Sequence, residues 1–116
     1  MWTYRARLIK VIDGDTCDLV IDAGFRSYRH ERIRLLGVNT PERKGATRAA
    51  GDAAKAFAER WFAAAENGEW PITVVTERSD AFGRYLGSIW NTLDGGELNA
   101  ALLEGGHAVP YERRTA

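Results

Sequence analysis

Residues 30–42 read His30-Glu31-Arg32-Ile33-Arg34-Leu35-Leu36-Gly37-Val38-Asn39-Thr40-Pro41-Glu42, and their pattern decides the fold. Charged and apolar residues alternate up to Arg34, then the run becomes continuously apolar at Leu35-Leu36. A strand that enters a core from a wet edge has that pattern, so the spacing predicts a strand over 30–38. Pro41 has no N–H to donate to a ladder, so Asn39-Thr40-Pro41-Glu42 stops the strand. Arg34 stands inside the apolar entry. A desolvated guanidinium needs an anion: Asp15 or Glu42 in a structural ion pair, or a phosphate that it clamps.

Upstream, Tyr4 to Val11 is short and β-rich, and Ile12-Asp13-Gly14-Asp15-Thr16 supplies turn chemistry. From Thr16 to Asp22, Cys17, Leu19 and Ile21 alternate with Asp18, Val20 and Asp22, a period of two. With Ala23-Gly24 as the next turn, three strands form a meander. Downstream, residues 43–47 are a polar loop. The stretch from Thr47 to Ala65 is helical, with Ala50, Ala54, Phe57, Trp61 and Ala65 on one face, Thr47 as N-cap and Asn67-Gly68 at the far end. Strands are expected at Pro71–Glu77, with Ile72 and Val74 on one side, and at Arg84–Trp90. Asp94-Gly95-Gly96 then leads into a short helix over Glu97–Leu103, ended by Gly105-Gly106. The expected class is α+β, mainly β: a five-stranded OB-fold barrel with a long helix between strands 3 and 4 and a short helix after strand 5. An open α+β sheet would give much the same string.

A chain of 116 residues fits one domain, taken as 1–116, with one ordinary core. Its 16 basic and 16 acidic side chains cancel, which argues against a protein that coats nucleic acid by bulk charge. The distribution is uneven: residues 1–48 carry ten Lys or Arg against six Asp or Glu, and residues 49–116 the reverse. No apolar run approaches the ~18 residues of a membrane span, and Met1 to Lys10 lacks the apolar segment of an export signal. The expectation is a cytoplasmic protein with no membrane partner. Cys17 is the only cysteine, so an internal disulfide and a Cys-based zinc site are excluded, and it reads as a small core residue.

Asp13 and Asp15 flank a glycine between two strands, and Asn39, Thr40 and Glu42 follow the third. Such a turn is most often only a turn. Carboxylate, amide and backbone oxygens are nevertheless what a hard cation such as Ca²⁺ accepts, while His30 and His107 alone do not make a soft-metal site. Both read as surface or satisfied histidines. Arg84, at the mouth of a strand, reads equally as a solvated hairpin arginine, and Tyr111 as an exposed tail aromatic.

Four segments in order change that balance. Ile12-Asp13-Gly14-Asp15-Thr16, then Arg34 through Glu42, then Asp80-Ala81-Phe82-Gly83-Arg84, then Leu98-Asn99-Ala100-Ala101-Leu102-Leu103 before Gly105-Gly106 closely resemble the staphylococcal nuclease (thermonuclease-like) family. The resemblance runs from about Tyr4 to Tyr111. It implies a five-stranded OB barrel and Ca²⁺-dependent cleavage of DNA and RNA phosphodiesters to 3′-phosphate ends. It further implies Asp15, Asn39 and Thr40 (through its carbonyl) as metal ligands, with Asp13 just behind them. Glu42 would stand beside the attacking water, Arg34 and Arg84 on the scissile phosphate, and Phe82 and Tyr111 against the substrate.

Departures from the family pattern are visible. Asn39 replaces the usual second metal aspartate, so weaker Ca²⁺ binding or a changed metal preference is expected. Ala81 and Phe82 replace Lys and Tyr. The chain stops soon after the second helix, which suits a bacterial or bacteriophage accessory nuclease. The expected partner is nucleic acid, preferably single-stranded, acted on by a monomer. The alternative is a catalytically impaired OB module that binds nucleic acid or protein.

Overall fold

The computed structural model describes residues 1–79 and 84–111. Strands β1 (Trp2–Asp13), β2 (Thr16–Asp22) and β3 (Tyr28–Leu35) form the expected antiparallel meander, with Asp13 paired to Thr16 across the first turn. A two-residue strand β4 (Val38–Asn39) and helix α1 (Arg48–Ala65) follow. Then come β5 (Ile72–Ser79), β6 (Tyr85–Asn91), helix α2 (Leu98–Glu104) and β7 (Val109–Pro110). Five strands close a barrel in the order β1-β2-β3-β6-β5. All its neighbours are antiparallel except β3 and β6, whose Ile33, Arg34 and Leu35 run parallel to Tyr85, Leu86 and Gly87. The sheet is therefore closed, and the open-sheet alternative is excluded.

Inward-facing Ala6, Leu19, Ile21, Ile33, Ile72, Val74 and Ile89 fill the barrel, and Ala58 and Phe62 of α1 with Leu98 and Leu102 of α2 extend that cluster. Burying each large aliphatic chain contributes about 1.5–3 kcal/mol, so this cluster is the main source of stability.

Three local expectations are corrected. The third strand leaves the barrel at Leu35, not Val38. Leu36 donates its N–H to Gly87 O, Gly37 takes φ +79°, and Val38–Asn39 pairs instead with Val109–Pro110. Thr47 does not cap α1. Its hydroxyl donates to Glu42 O at 2.7 Å and Lys44 O at 3.2 Å, tying the preceding loop, and a short 3-10 turn (Gly45–Thr47) leads into the helix. The buried stripe of α1 is Gly51, Ala54, Ala58, Phe62 and Ala65, while Ala50 is exposed and Phe57 and Trp61 flank it half-buried. Small residues occupy the middle of the stripe because the helix lies close against other backbone, and the aromatic rings are displaced to its border.

Candidate functional site

The Asp13-Gly14-Asp15 turn sits directly on α1. A Cβ at Gly14 would lie 2.8 Å from Ala54 Cβ and 2.9 Å from Thr40 Cγ2, so only glycine allows this approach. The turn thereby buries Asp15, which is 8% exposed. Its Oδ2 accepts the Thr40 N–H at 3.0 Å and its Oδ1 accepts the Thr16 hydroxyl at 3.1 Å. One carboxylate thus joins the first turn to the segment after β4.

Arg34, paired with Thr16 across β2 and β3, is also 8% exposed. Its Nη1 donates to Leu35 O and Val38 O, both at 2.8 Å, and its Nη2 donates to Asn39 Oδ1 at 3.1 Å and lies 3.5 Å from Asp15 Oδ2. Of the two carboxylates proposed for it, Asp15 is the one it meets. The guanidinium also clasps the turn where the chain leaves the barrel, which fixes its plane. Pairing of β4 with β7 and the bond from Tyr111 N to Gly37 O bring Tyr111 alongside, its ring centroid 5.8 Å from Arg34 Cζ.

Glu42 is set by the helix. A Cβ at Gly51 would come within 2.7 Å of both Pro41 O and Glu42 O, so the segment bearing Glu42 lies flush on α1. Its carboxylate is 74% exposed and 3.8 Å from Lys44 Nζ, a weak surface pairing. Arg43 anchors the same segment through Asp52 Oδ1 at 2.8 Å and Ile12 O at 3.0 Å. That bond with Asp52 raises the Arg43 pKa and holds the Asp52 carboxyl below its ordinary value.

Asp15, Arg34, Asn39, Thr40, Glu42, Arg84 and Tyr111 all line one open cleft of about 500 Å³. Phe82 lies outside the described residues. Arg43 and Lys44, in the polar loop that precedes α1, line the cleft too. Among the described residues that line it they bring the cations to four, with Arg34 and Arg84, against the carboxylates of Asp13, Asp15 and Glu42.

Asn99, within the Leu98–Leu103 motif, has a structural role. It is buried, accepts the Ile89 N–H through Oδ1 at 3.2 Å, and donates Nδ2 to Leu36 O and Gly87 O at 2.9 and 3.2 Å. It holds α2, β6 and the turn beyond Arg34 together. A polar side chain among Leu98, Ala100, Ala101, Leu102 and Leu103 is the signal in the sequence. Cys17 is buried as expected, and burial pushes its thiol pKa up. His107 packs its ring on Phe57 at 4.7 Å.

Among the described residues no group of three or more His, Cys, Asp or Glu side chains is placed to hold a metal ion. The oxygens of Asp15, Asn39 and the Thr40 backbone fit a hard cation in donor type, but they carry one formal negative charge.

Barrel and cleft together define a nuclease-like OB-fold domain. The family model for staphylococcal nuclease homologues matches residues 32–116, and the chain belongs to that family. It is also 27% identical over 116 residues to Protein ParB of Escherichia coli, an alignment that takes in 92% of this chain and 57% of that protein. The chain thus spans little more than half the length of this relative. Among the described residues no helix is long and apolar enough to cross a membrane.

Proposed function

We propose that the chain is a metal-assisted nuclease that hydrolyses phosphodiester bonds of DNA, RNA or both. The observation that carries the reading is the convergence of Arg34, Arg84 and Glu42 with the oxygens of Asp15, Asn39 and Thr40 on one cleft. A phosphodiester resists attack because its anionic oxygens repel an incoming hydroxide. Arg34 and Arg84 offset that charge with planar donors whose bonds strengthen as the equatorial oxygens become more negative. Arg34 is held in place by two carbonyls, and a phosphate at Nη2 competes with Asn39 Oδ1 and Asp15 Oδ2. Glu42, exposed on the cleft rim, orients the attacking water and accepts its proton, a contribution of about 10²–10⁴-fold. Water adds to phosphorus, the bond to the 5′ oxygen breaks, the leaving oxygen takes a proton from solvent as Glu42 returns its own to solvent, and by family resemblance a 3′-phosphate and a 5′-hydroxyl remain. A hard divalent ion, with Ca²⁺ as the expectation, would be held by Asp15, Asn39 and Thr40 and would supply further neutralisation of phosphate charge.

One observation favours a second reading, a non-catalytic module that binds nucleic acid: the donor set for the cation has a single carboxylate. Degradation of single-stranded DNA with Ca²⁺, other divalent ions or chelator separates the two. The nuclease reading expects cleavage that chelator abolishes and that Asp15→Ala and Glu42→Gln each reduce at least ~10²-fold. Binding without cleavage under every ion supports the module. Cleavage that is indifferent to both substitutions places the site elsewhere. Asn39→Asp restores a second carboxylate and tightens Ca²⁺ in a calorimetric titration; no gain removes Asn39 from the set.

A further inference from the structure

Cross-strand pairing of Tyr28 with Asp22, His30 with Val20, Arg32 with Asp18 and Arg34 with Thr16 puts every second residue of β3 on the outer face of the barrel. The intervening residue Ile33 is buried on the inner side with Leu19 and Ile21. Arg34, in the cleft, therefore begins a row that continues through Arg32 and His30 to Tyr28, three two-residue steps or about 20 Å. Strand β1 supports the row. Arg7 pairs with Val20, and an irregularity between Leu8 and Lys10 keeps Lys10 opposite Asp18.

A second open cleft, of about 960 Å³, is lined by Lys10, Asp18, His30 and Arg32, and it shares Arg84 with the first. At the far end of the row Tyr28 stacks on Trp70, with ring centroids 5.8 Å apart and planes at 21°. Arg7 and Arg5 lie over that indole at 4.8 and 5.5 Å. Carboxylates are present on this face but engaged: Asp18 takes two bonds from Arg32, Asp22 is bound by Arg5, and Glu69 at the rim is 3.7 Å from Arg7. Glu31, which also lines the second cleft, is paired with Arg29 at 2.6 Å, so each of these carboxylates is matched by an arginine, and Lys10 and Arg84 are further cations along that cleft.

We propose that the outer face of β1, β2 and β3 is a track for single-stranded nucleic acid, continuous with the cleft through Arg84 and Arg34. Phosphates run past Lys10 and Arg32, and a base stacks on the Tyr28–Trp70 pair. The inference rests on the nucleic-acid reading of the cleft and adds where the flanking strand goes. Cations spaced along a strand and ending at stacked aromatics match a chain of alternating phosphates and bases, since every base offers a π-face. A row of about 20 Å is long enough for several nucleotides, within the ~4–16 that a single OB fold accommodates.

The test uses the whole chain in chelator, with anisotropy of a labelled single-stranded DNA of about twelve nucleotides, and separately hydrolysis of a dinucleotide phosphodiester with divalent ion. Tyr28→Ala and Lys10→Glu change exposed side chains, and Lys10→Ala serves as a milder companion. Each is expected to weaken binding of the long strand about fivefold or more, and the Lys10 variants to lower the salt slope by about one. Hydrolysis of the dinucleotide stays at the wild-type rate. Wild-type binding of the long strand by both Tyr28→Ala and Lys10→Glu overturns the track, whatever the cleft does. So does duplex DNA bound as tightly as single strand. Weakened binding in a protein that cleaves nothing supports the track while the hydrolytic reading fails.

Discussion

Gly51→Ala tests how the helix governs the cleft. The added methyl meets Pro41 O and Glu42 O at 2.7 Å, and both are backbone atoms that no rotamer change can move aside. Ordinary contact begins at 3.4 Å, so helix and segment must separate by about 0.7 Å. Overpacking of this kind costs about 1–3 kcal/mol. Replacing glycine inside a helix returns about 1 kcal/mol of propensity, so the net loss is about 0–2 kcal/mol and the fold survives. Glu42 moves with its backbone. A misplacement of about 1 Å at a reacting group can cost ~10²-fold, so hydrolysis of single-stranded DNA is expected to fall about tenfold or more. The assay pairs a urea melt with the initial rate on DNA. A variant with wild-type rate and near-wild-type stability refutes the reasoning that α1 sets the place of Glu42. A loss above about 4 kcal/mol refutes the offset between strain and propensity.

Other perturbations separate the remaining contributions. Asn99→Ala leaves Ile89 N–H and Leu36 O without their side-chain partner and is expected to cost about 2–4 kcal/mol in urea unfolding; a loss under 1 kcal/mol contradicts its role as a clamp. The hydrogen bond from Arg32 holds the Asp18 carboxyl below its ordinary pKa, so this pair adds stability at neutral pH that disappears as pH falls below about 4. Half-exposure of Arg32 keeps the effect small, and Asp18→Asn is expected to flatten the acid limb of the stability–pH curve. Phe25 and Arg26 both have positive φ, 52° and 59°, and Ser27 N–H closes the turn on Gly24 O at 2.8 Å. Phe25→Asn with Arg26→Gly suits that geometry and is expected to stabilise by about 1–2 kcal/mol, read as a higher urea midpoint.

Much of the barrel was legible because its signals are local. Alternation marked Thr16–Asp22, and Gly and Asp marked the turns between strands. Boundaries failed where a distant partner intervened. The third strand ends early because Val38–Asn39 finds β7, some 70 residues along the chain, and a run of apolar residues carries no record of which edge it will join. Thr47 looks like a cap by position, but its hydroxyl donates to Glu42 O and makes no bond to the helix amides. The helix stripe was misplaced because periodicity rewards aromatic bulk, whereas close contact with backbone at Gly51 selects the smallest residues.

The candidate site divides along the same line. Sequence alone determined which chemical groups are available, namely oxygen donors at 15, 39 and 40, a carboxylate at 42 and guanidinium groups at 34 and 84. It also determined the order of the five barrel strands and the two helices that carry them. Only the tertiary structure decided that Arg34 shares Asp15 with the Thr40 amide, that Arg43 and Lys44 face the same cleft, and that Tyr111 is drawn beside them. The physical reason is that residue identity sets what a side chain can bind, while barrel closure and the approach of α1 to two glycines set which groups are near enough to do so.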